Sequence, residues 1–127
     1  MKQALLLDDN ISQLTMRELV LRKGEIESHV ATSALSALAL LRSDMGRAKI
    51  GVVITDHMMP AMDGVQFVQE LRTFNPEVPV IVISGLPDAD SEYAGLNVIF
   101  RVKPCDPDDL IALVRNALQD PKYRASA

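Results

Sequence analysis

The sequence predicts an α/β fold in which five strands form one parallel sheet and helices cover both of its faces. Short apolar runs, most of them rich in Val and Ile, recur along the chain, as in strands that are buried on both faces. Segments whose apolar residues have helical spacing separate these runs. Because strands and helices alternate strictly, right-handed crossovers would wind the chain in two directions from a central strand.

The predicted strands are short, and the second is interrupted by polar residues. They comprise residues 4–7, 26–30, 52–54, 80–83 and 98–102. Five strand–helix units of this kind fit a flavodoxin-like (βα)5 doubly wound sandwich with the strand order 2-1-3-4-5.

The first three helices are predicted from caps and apolar stripes. The first spans about residues 10–23 and is only weakly amphipathic. Ser33 is placed to cap the second helix, whose stripe consists of Ala34, Ala37, Leu38, Leu41 and Met45. The stripe of the third helix consists of Phe67, Val68, Leu71 and Phe74.

The last helix carries the strongest signals. Asp106 is an N-cap candidate, Pro107 occupies the first helical position, and the acidic residues that follow suit the positive end of the helix dipole. Its apolar stripe consists of Leu110, Ile111, Val114, Ala117 and Leu118.

Length and composition indicate one soluble domain. We place it at residues 1–120 of the 127, followed by a short C-terminal tail at 121–127. The single cysteine, Cys105, suits a reducing compartment, and we interpret it as a packing residue. No apolar run approaches the roughly 20 residues of a membrane span, and the first apolar run is too short for a signal peptide. We therefore expect a cytoplasmic protein without membrane attachment.

The charge balance argues against direct nucleic-acid binding. The chain has 13 basic and 17 acidic residues, so its formal net charge is −4. Nothing in this balance favours DNA, RNA or an anionic membrane surface. An action on DNA would require a partner or another domain.

Polar residues follow four of the predicted strands at their carboxyl ends, where sheets of this kind bind ligands. The first strand is followed by Asp8 and Asp9, the third by Asp56, and the fourth by Ser84. Lys103 comes at the end of the fifth. The topology would therefore bring three carboxylates, one hydroxyl and one ammonium group to a single edge.

Crowded carboxylates repel each other unless they are protonated, paired with a lysine or bound to a divalent cation. The candidate metal ligands are all oxygens, which favours Mg²⁺ over zinc. With Asp56 as nucleophile, the set becomes a phosphoryl-transfer site. Lys103, Ser84 and the metal would stabilise the charge on the transferring group.

These residues lie in four segments that together resemble the receiver domain of bacterial two-component response regulators over essentially the whole chain. The segments are LLDDN at 6–10, ITDHMMPAMDG at 54–64, ISG at 83–85 and FRVKP at 100–104. Each segment alone is weak, but four in order at strand ends are a specific match. The resemblance implies that Asp56 accepts a phosphoryl group from a histidine kinase or a histidine phosphotransfer protein.

The resemblance also implies roles for the other residues of the site. Mg²⁺ would be bound by Asp8, Asp9, Asp56 and the main-chain carbonyl of Met58. Ser84 and Lys103 would bind the phosphoryl group. As Ser84 is drawn toward the phosphate, the switch residue Phe100 would swing inward.

As a receiver, the domain would be a regulatory phosphoprotein rather than an enzyme. Self-phosphorylation from small phosphodonors and self-dephosphorylation are expected of it. Phosphorylation would shift the face formed by the fourth helix, fifth strand and fifth helix, and a weak homodimer is left open. The chain between Ser84 and Lys103 is a few residues shorter than receivers usually have. The fourth helix is therefore confined to residues 88–94 and expected to be short, irregular and mobile.

Other functions would require different residues at this edge. An aspartyl-phosphate hydrolase would carry an acid two residues after its nucleophile, where this chain has Met58. A nucleotide- or flavin-binding protein would need a Gly- or Ser-rich loop after the first strand. A degenerate receiver used only for docking would have lost chemical residues that are all present. Asp8 and Asp9 could instead cap the first helix.

The two histidines are interpreted as structural. His57 is expected on the loop surface, since it points away from its neighbour Asp56. His29 lies on an apolar strand.

Overall fold

The computed structural model describes residues 2–119, so the predicted tail at 121–127 lies outside the described residues. A parallel five-stranded sheet has the order β2-β1-β3-β4-β5, which confirms the predicted order. The strands are β1 (Gln3–Leu7), β2 (Ser28–Ala31), β3 (Ile50–Asp56), β4 (Val80–Ser84) and β5 (Val98–Val102).

Five α-helices and one 3₁₀ helix connect or follow the strands in the described part of the chain. They are α1 (Ile11–Lys23), α2 (Ala34–Arg42), α3 (Asp44–Lys49), α4 (Gly64–Phe74), the 3₁₀ segment (Pro87–Tyr93) and α5 (Pro107–Gln119). None of the helices found between residues 2 and 119 has the length and apolar content needed to cross a membrane.

The helices α2 and α5 begin at the capping side chains that the sequence predicts. The Ser33 hydroxyl accepts the backbone N–H of Ser36 at 3.1 Å at the start of α2. The Asp106 carboxylate accepts the N–H of Asp108 at 2.8 Å, directly before α5. Both contacts satisfy N–H groups that lack a partner in the first helical turn.

The predicted second helix is interrupted, so the placement of Met45 on its stripe is wrong. Ser43 ends α2, and its hydroxyl accepts the N–H of Gly46 to start α3. A side chain at Gly46 would collide with the carbonyl group of Leu40, so glycine allows the two helices to pack at this bend. Met45 is consequently exposed.

Two apolar layers enclose the sheet, and every residue of β3 is buried. Leu5 and Leu7 face a layer formed by α2 and α4, whereas Ala4 and Leu6 face α1 and α5. The predicted stripes of the third and last helices supply much of both layers, with Phe67 and Val114 fully buried. The central position of β3 fixes the residue at its carboxyl end, Asp56.

The connection between β4 and β5 is a 3₁₀ helix, which confirms the prediction of a short, irregular element. The sequence of this segment predicts little apolar surface for packing, but two of its residues do pack against the sheet. Ala89 and Tyr93 are both almost fully buried, since the 3₁₀ turn places them on the side facing the sheet. The mobility of this segment stays a prediction.

Candidate functional site

The carboxyl ends of the parallel strands bring Asp56 and Lys103 into contact. Asp56 is the last residue of β3, and Lys103 follows the end of β5. The Lys103 ammonium group donates to Asp56 Oδ2 at 3.1 Å. Although β3 and β5 are separated by β4, the lysine side chain is long enough to reach across that strand.

Asp56 has a second partner and little contact with solvent. Its Oδ1 atom accepts the backbone N–H of His57 at 2.9 Å, and only 7% of the residue is exposed. One carboxylate is therefore oriented through both of its oxygens. Preorganisation of this kind suits a nucleophile, and the fixed cation beside it is placed to stabilise charge on a group under attack.

Asp8 is fully buried beside this pair. Its Oδ1 atom accepts the N–H of Asn10 at 2.9 Å, and its Oδ2 atom accepts from Arg17 Nη1 at 3.1 Å. Burial, reinforced by the charge of Asp56, raises the pKa of Asp8 above its ordinary value. The Asn10 N–H, Arg17 and Lys103 oppose that rise.

The cap of α1 is neither Asp8 nor Asp9. The Asn10 side chain accepts the N–H of Gln13 at 3.1 Å and is the N-cap. Asp9 is exposed at the same edge of the sheet. The first acidic pair is thus available for chemistry other than capping.

Sequence reasoning missed Arg17. It lies between Leu14 and Leu21, two buried residues of α1, at the spacing of one helix face. A charged residue on a buried stripe is the signal that could have identified it, because buried arginines are almost always paired.

The Ser84 side chain bonds to Leu86 rather than to Asp56, and Phe100 lies on β5, two strands away from β3. The buried Ser84 hydroxyl accepts the N–H of Leu86 at 2.9 Å. Phe100 is half-buried, and its ring lies 5.9 Å from that of Tyr93, centroid to centroid. The predicted switch residue therefore packs on the 3₁₀ segment.

The expectation that His57 lies on the loop surface is wrong, since the residue is buried. The 3₁₀ segment covers its side chain. His57 Nδ1 and the Tyr93 hydroxyl form a hydrogen bond of 2.7 Å, with the two rings edge to face. Burial raises the pKa of Tyr93, so its hydroxyl stays neutral.

Gly64, at the start of α4, makes this arrangement possible. A Cβ atom there would collide with the Tyr93 hydroxyl and lie 3.0 Å from the carbonyl oxygen of Asp56 and from the Cα atom of His57. The missing side chain lets the tyrosine approach the end of β3.

The donor set suits a hard cation such as Mg²⁺, because carboxylate and carbonyl oxygens dominate this edge. Met58, the residue of the expected carbonyl ligand, follows β3 in a loop with an exposed side chain. Within residues 2–119, no three His, Cys, Asp or Glu side chains are gathered closely enough to form a metal-binding group. The residues fit the ion chemically, but Asp8 is oriented toward Arg17 rather than toward a shared centre.

A mainly apolar groove of about 550 Å³ runs beside the site between α1 and the start of α5. Arg17 and Lys103 both line it, together with Cys105. Cys105 packs against the α1–α5 layer, in agreement with its interpretation as a packing residue.

Comparisons with known proteins agree with this architecture. A family model described as the response regulator receiver domain matches residues 4–115. The chain is 30% identical over 117 residues to the transcriptional regulatory protein ZraR of Klebsiella oxytoca, covering 90% of this chain and 26% of that protein. It is 36% identical over 125 residues to the hydrogenase transcriptional regulatory protein HoxA of Cupriavidus necator, covering 93% and 25%.

A solved structure gives the same result. The crystal structure of a response regulator receiver domain protein from Clostridium thermocellum matches with a TM-score of 0.84 and 26% identity, covering 96% of this chain and 98% of that one. The chain spans about a quarter of the length of the two curated relatives.

Proposed function

The chain belongs to the response regulator receiver domain family, the phosphate-accepting switches of two-component signalling, and we propose that Asp56 is its phosphoacceptor. The observation that carries this proposal is the contact between Lys103 and the buried Asp56 carboxylate. Asp56 is the carboxylate of this edge that has both low exposure and a lysine partner from another strand. We assign the receiver to residues 1–120.

The reaction is a transfer of a phosphoryl group to a carboxylate. An Asp56 oxygen forms a bond to phosphorus while the bond between phosphorus and a histidine nitrogen of the donor breaks, and that nitrogen keeps the electron pair. Lys103 exchanges its carboxylate contact for a phosphoryl oxygen, and the Ser84 hydroxyl donates to another. Small phosphodonors such as acetyl phosphate would react in the same way, and attack of water on the acyl phosphate would reset the domain.

Mg²⁺ belongs in this site as a counter-charge. Asp8, Asp9, Asp56 and the main-chain carbonyl of Met58 are the residues that would hold it. When bound, the ion neutralises charge on the phosphoryl oxygens. The chain itself supplies the nucleophile, the lysine and the hydroxyl group.

Movement of Ser84 would transmit the phosphorylation signal to the rest of the domain. To reach the phosphoryl group, its hydroxyl gives up the Leu86 N–H, which loosens the start of the 3₁₀ segment. Phe100 then moves into the space beside Ser84 and no longer supports Tyr93 in the same position. The face formed by the 3₁₀ segment, β5 and α5 changes as a result, and Leu86 and Val102 are exposed on it.

The partners follow from this mechanism. A histidine kinase or histidine phosphotransfer protein in the cytoplasm would supply the phosphoryl group. The two relatives are transcriptional regulatory proteins, so we propose that the switch controls transcription without direct contacts of this domain to DNA. A weak homodimer through the changing face is compatible with the proposal. Met58 occupies the position where a hydrolase would carry its second acid, so no observation favours that alternative.

The test is labelling with acetyl phosphate and Mg²⁺. Wild type should give a phosphoprotein that is labile to base, and Asp56→Asn should give none. Asp88→Asn, which removes an exposed carboxylate from the 3₁₀ segment, is the matched control and should be labelled like wild type. Undiminished labelling of Asp56→Asn would overturn the assignment, and chelation of the metal should abolish the reaction in wild type.

A further inference from the structure

Arg17 brings a second cation to the phosphorylation site, and unlike Lys103 it is buried. It is 8% exposed, although an arginine on a helix normally extends into solvent. Its guanidinium group donates to Asp8 Oδ2 and to Gln13 Oε1, both at 3.1 Å. The side chain is therefore fixed at its two terminal nitrogens, Nη1 and Nη2, and Nη1 binds the acidic edge.

This contact engages the second oxygen of the Asp8 carboxylate, so that each oxygen has a hydrogen-bond partner. Its other oxygen already accepts the N–H of Asn10. A metal ion that uses Asp8 must therefore compete with a charge-assisted hydrogen bond in a buried environment, where such bonds are strong. Asp9, which is exposed, meets no such competition from Arg17.

Arg17 also adds a positive charge to this edge of the sheet. Asp8 pairs with Arg17 and Asp56 pairs with Lys103, and both cations line the same groove, whereas Asp9 is exposed. A guanidinium group stays charged at every relevant pH and repels a divalent cation nearby. Both effects act in the same direction.

We propose that Arg17 is a positioning residue that occupies one carboxylate oxygen of Asp8 and thereby weakens Mg²⁺ binding at the phosphorylation site. This inference rests on the function proposed above. It predicts that the site exchanges Mg²⁺ more readily than its three carboxylates alone would allow, with Asp9 and Asp56 as the main carboxylate ligands.

The experiment is a titration of the protein with MgCl₂ at pH 8, followed by the amide NMR shifts of residues near Asp56. Arg17→Met should bind Mg²⁺ about fivefold more tightly than wild type, since a nearby positive charge is removed. Arg17→Gln keeps an N–H donor without the charge and should shift affinity in the same direction, which provides the test if the methionine variant does not fold. Arg17→Lys should remain near wild type.

Two controls separate a specific effect from a general one. Arg22→Met removes an exposed positive charge from the last turn of the same helix and should leave the affinity unchanged. In an Asp8→Asn background, the gain from Arg17→Met should be clearly smaller, because only the direct charge repulsion remains once the carboxylate that Arg17 occupies is gone.

Equal or weaker Mg²⁺ binding by Arg17→Met and Arg17→Gln overturns the inference, as does an undiminished gain in the Asp8→Asn background. In either case labelling of Asp56 by acetyl phosphate would leave the proposed function standing. Absence of Mg²⁺ binding in wild type and all variants would overturn both this inference and the proposed metal site.

Discussion

The two sides of Asp56 are built on different physical principles. On the α1 side, comprising Asp8, Asn10 and Arg17, the buried Asp8 and Arg17 are held by charge pairing, and Asp8 also accepts the Asn10 N–H. On the 3₁₀ side, comprising His57, Tyr93 and Phe100, they are held by ring packing and one hydrogen bond. Both sides contain buried polar groups, and each of these groups needs a hydrogen-bond partner.

The two sides should therefore respond to different perturbations. Charge pairs depend on ions and on the number of charges, so the α1 side should respond to Mg²⁺ and to substitutions of charged residues. Packed rings depend on shape, so the 3₁₀ side should respond to added or removed atoms. The proposed phosphorylation of Asp56 would act on both sides, because it adds charge and volume.

The largest expected effect is that of added volume on the 3₁₀ side. Gly64→Ala places a methyl group against the Tyr93 hydroxyl and the backbone around Asp56. We expect a loss of about 2–3 kcal/mol in the free energy of unfolding, as for other overpacked sites. Gly85→Ala is the control, since its Cβ atom would meet nothing within 4 Å. Equal stability of the two variants in urea denaturation would show that Tyr93 does not occupy this position.

A smaller effect is expected from loss of the hydrogen bond alone. Tyr93→Phe keeps the ring but leaves His57 Nδ1 without its partner. The cost should be about 1–2 kcal/mol in denaturant unfolding, typical of an unsatisfied buried polar atom. Amide exchange should also accelerate in the 3₁₀ segment, whose mobility the sequence predicts. Unchanged stability and exchange would mean that packing alone holds this segment.

The smallest effect on folding is expected on the α1 side. Asp9→Ala removes an exposed carboxylate and should leave the free energy of unfolding within about 0.5 kcal/mol of wild type, or raise it by relieving repulsion. Mg²⁺ affinity should nevertheless fall about tenfold, because an oxygen ligand is lost. If titration gives the wild-type affinity, Asp9 is not a ligand.

Residues at strand ends could be predicted from the sequence, whereas those reaching the site from helices could not. Asp56, Ser84 and Lys103 were found because the strand pattern fixes where each strand ends. Arg17 was missed because a weakly amphipathic helix does not reveal which face is buried. The burial of His57 depends on Tyr93, and only the folded 3₁₀ segment brings the two together.

The sequence pattern also failed to predict the break between α2 and α3. Ser43 caps a new helix after an apolar stripe that continues in sequence but not in space. Periodicity describes which residues can share a face, and it does not detect a cap that ends the face early.

The assignment of Asp56 as phosphoacceptor is tested most directly by locating the phosphoryl group with a chemical label. The phosphorylated protein is reduced with borohydride, which converts an aspartyl phosphate to homoserine, and its peptides are sequenced by mass spectrometry. We expect homoserine at position 56 alone, formed only when Mg²⁺ and the phosphodonor are both present. Homoserine at Asp8 or Asp9, or a phosphorylated His57, would contradict it.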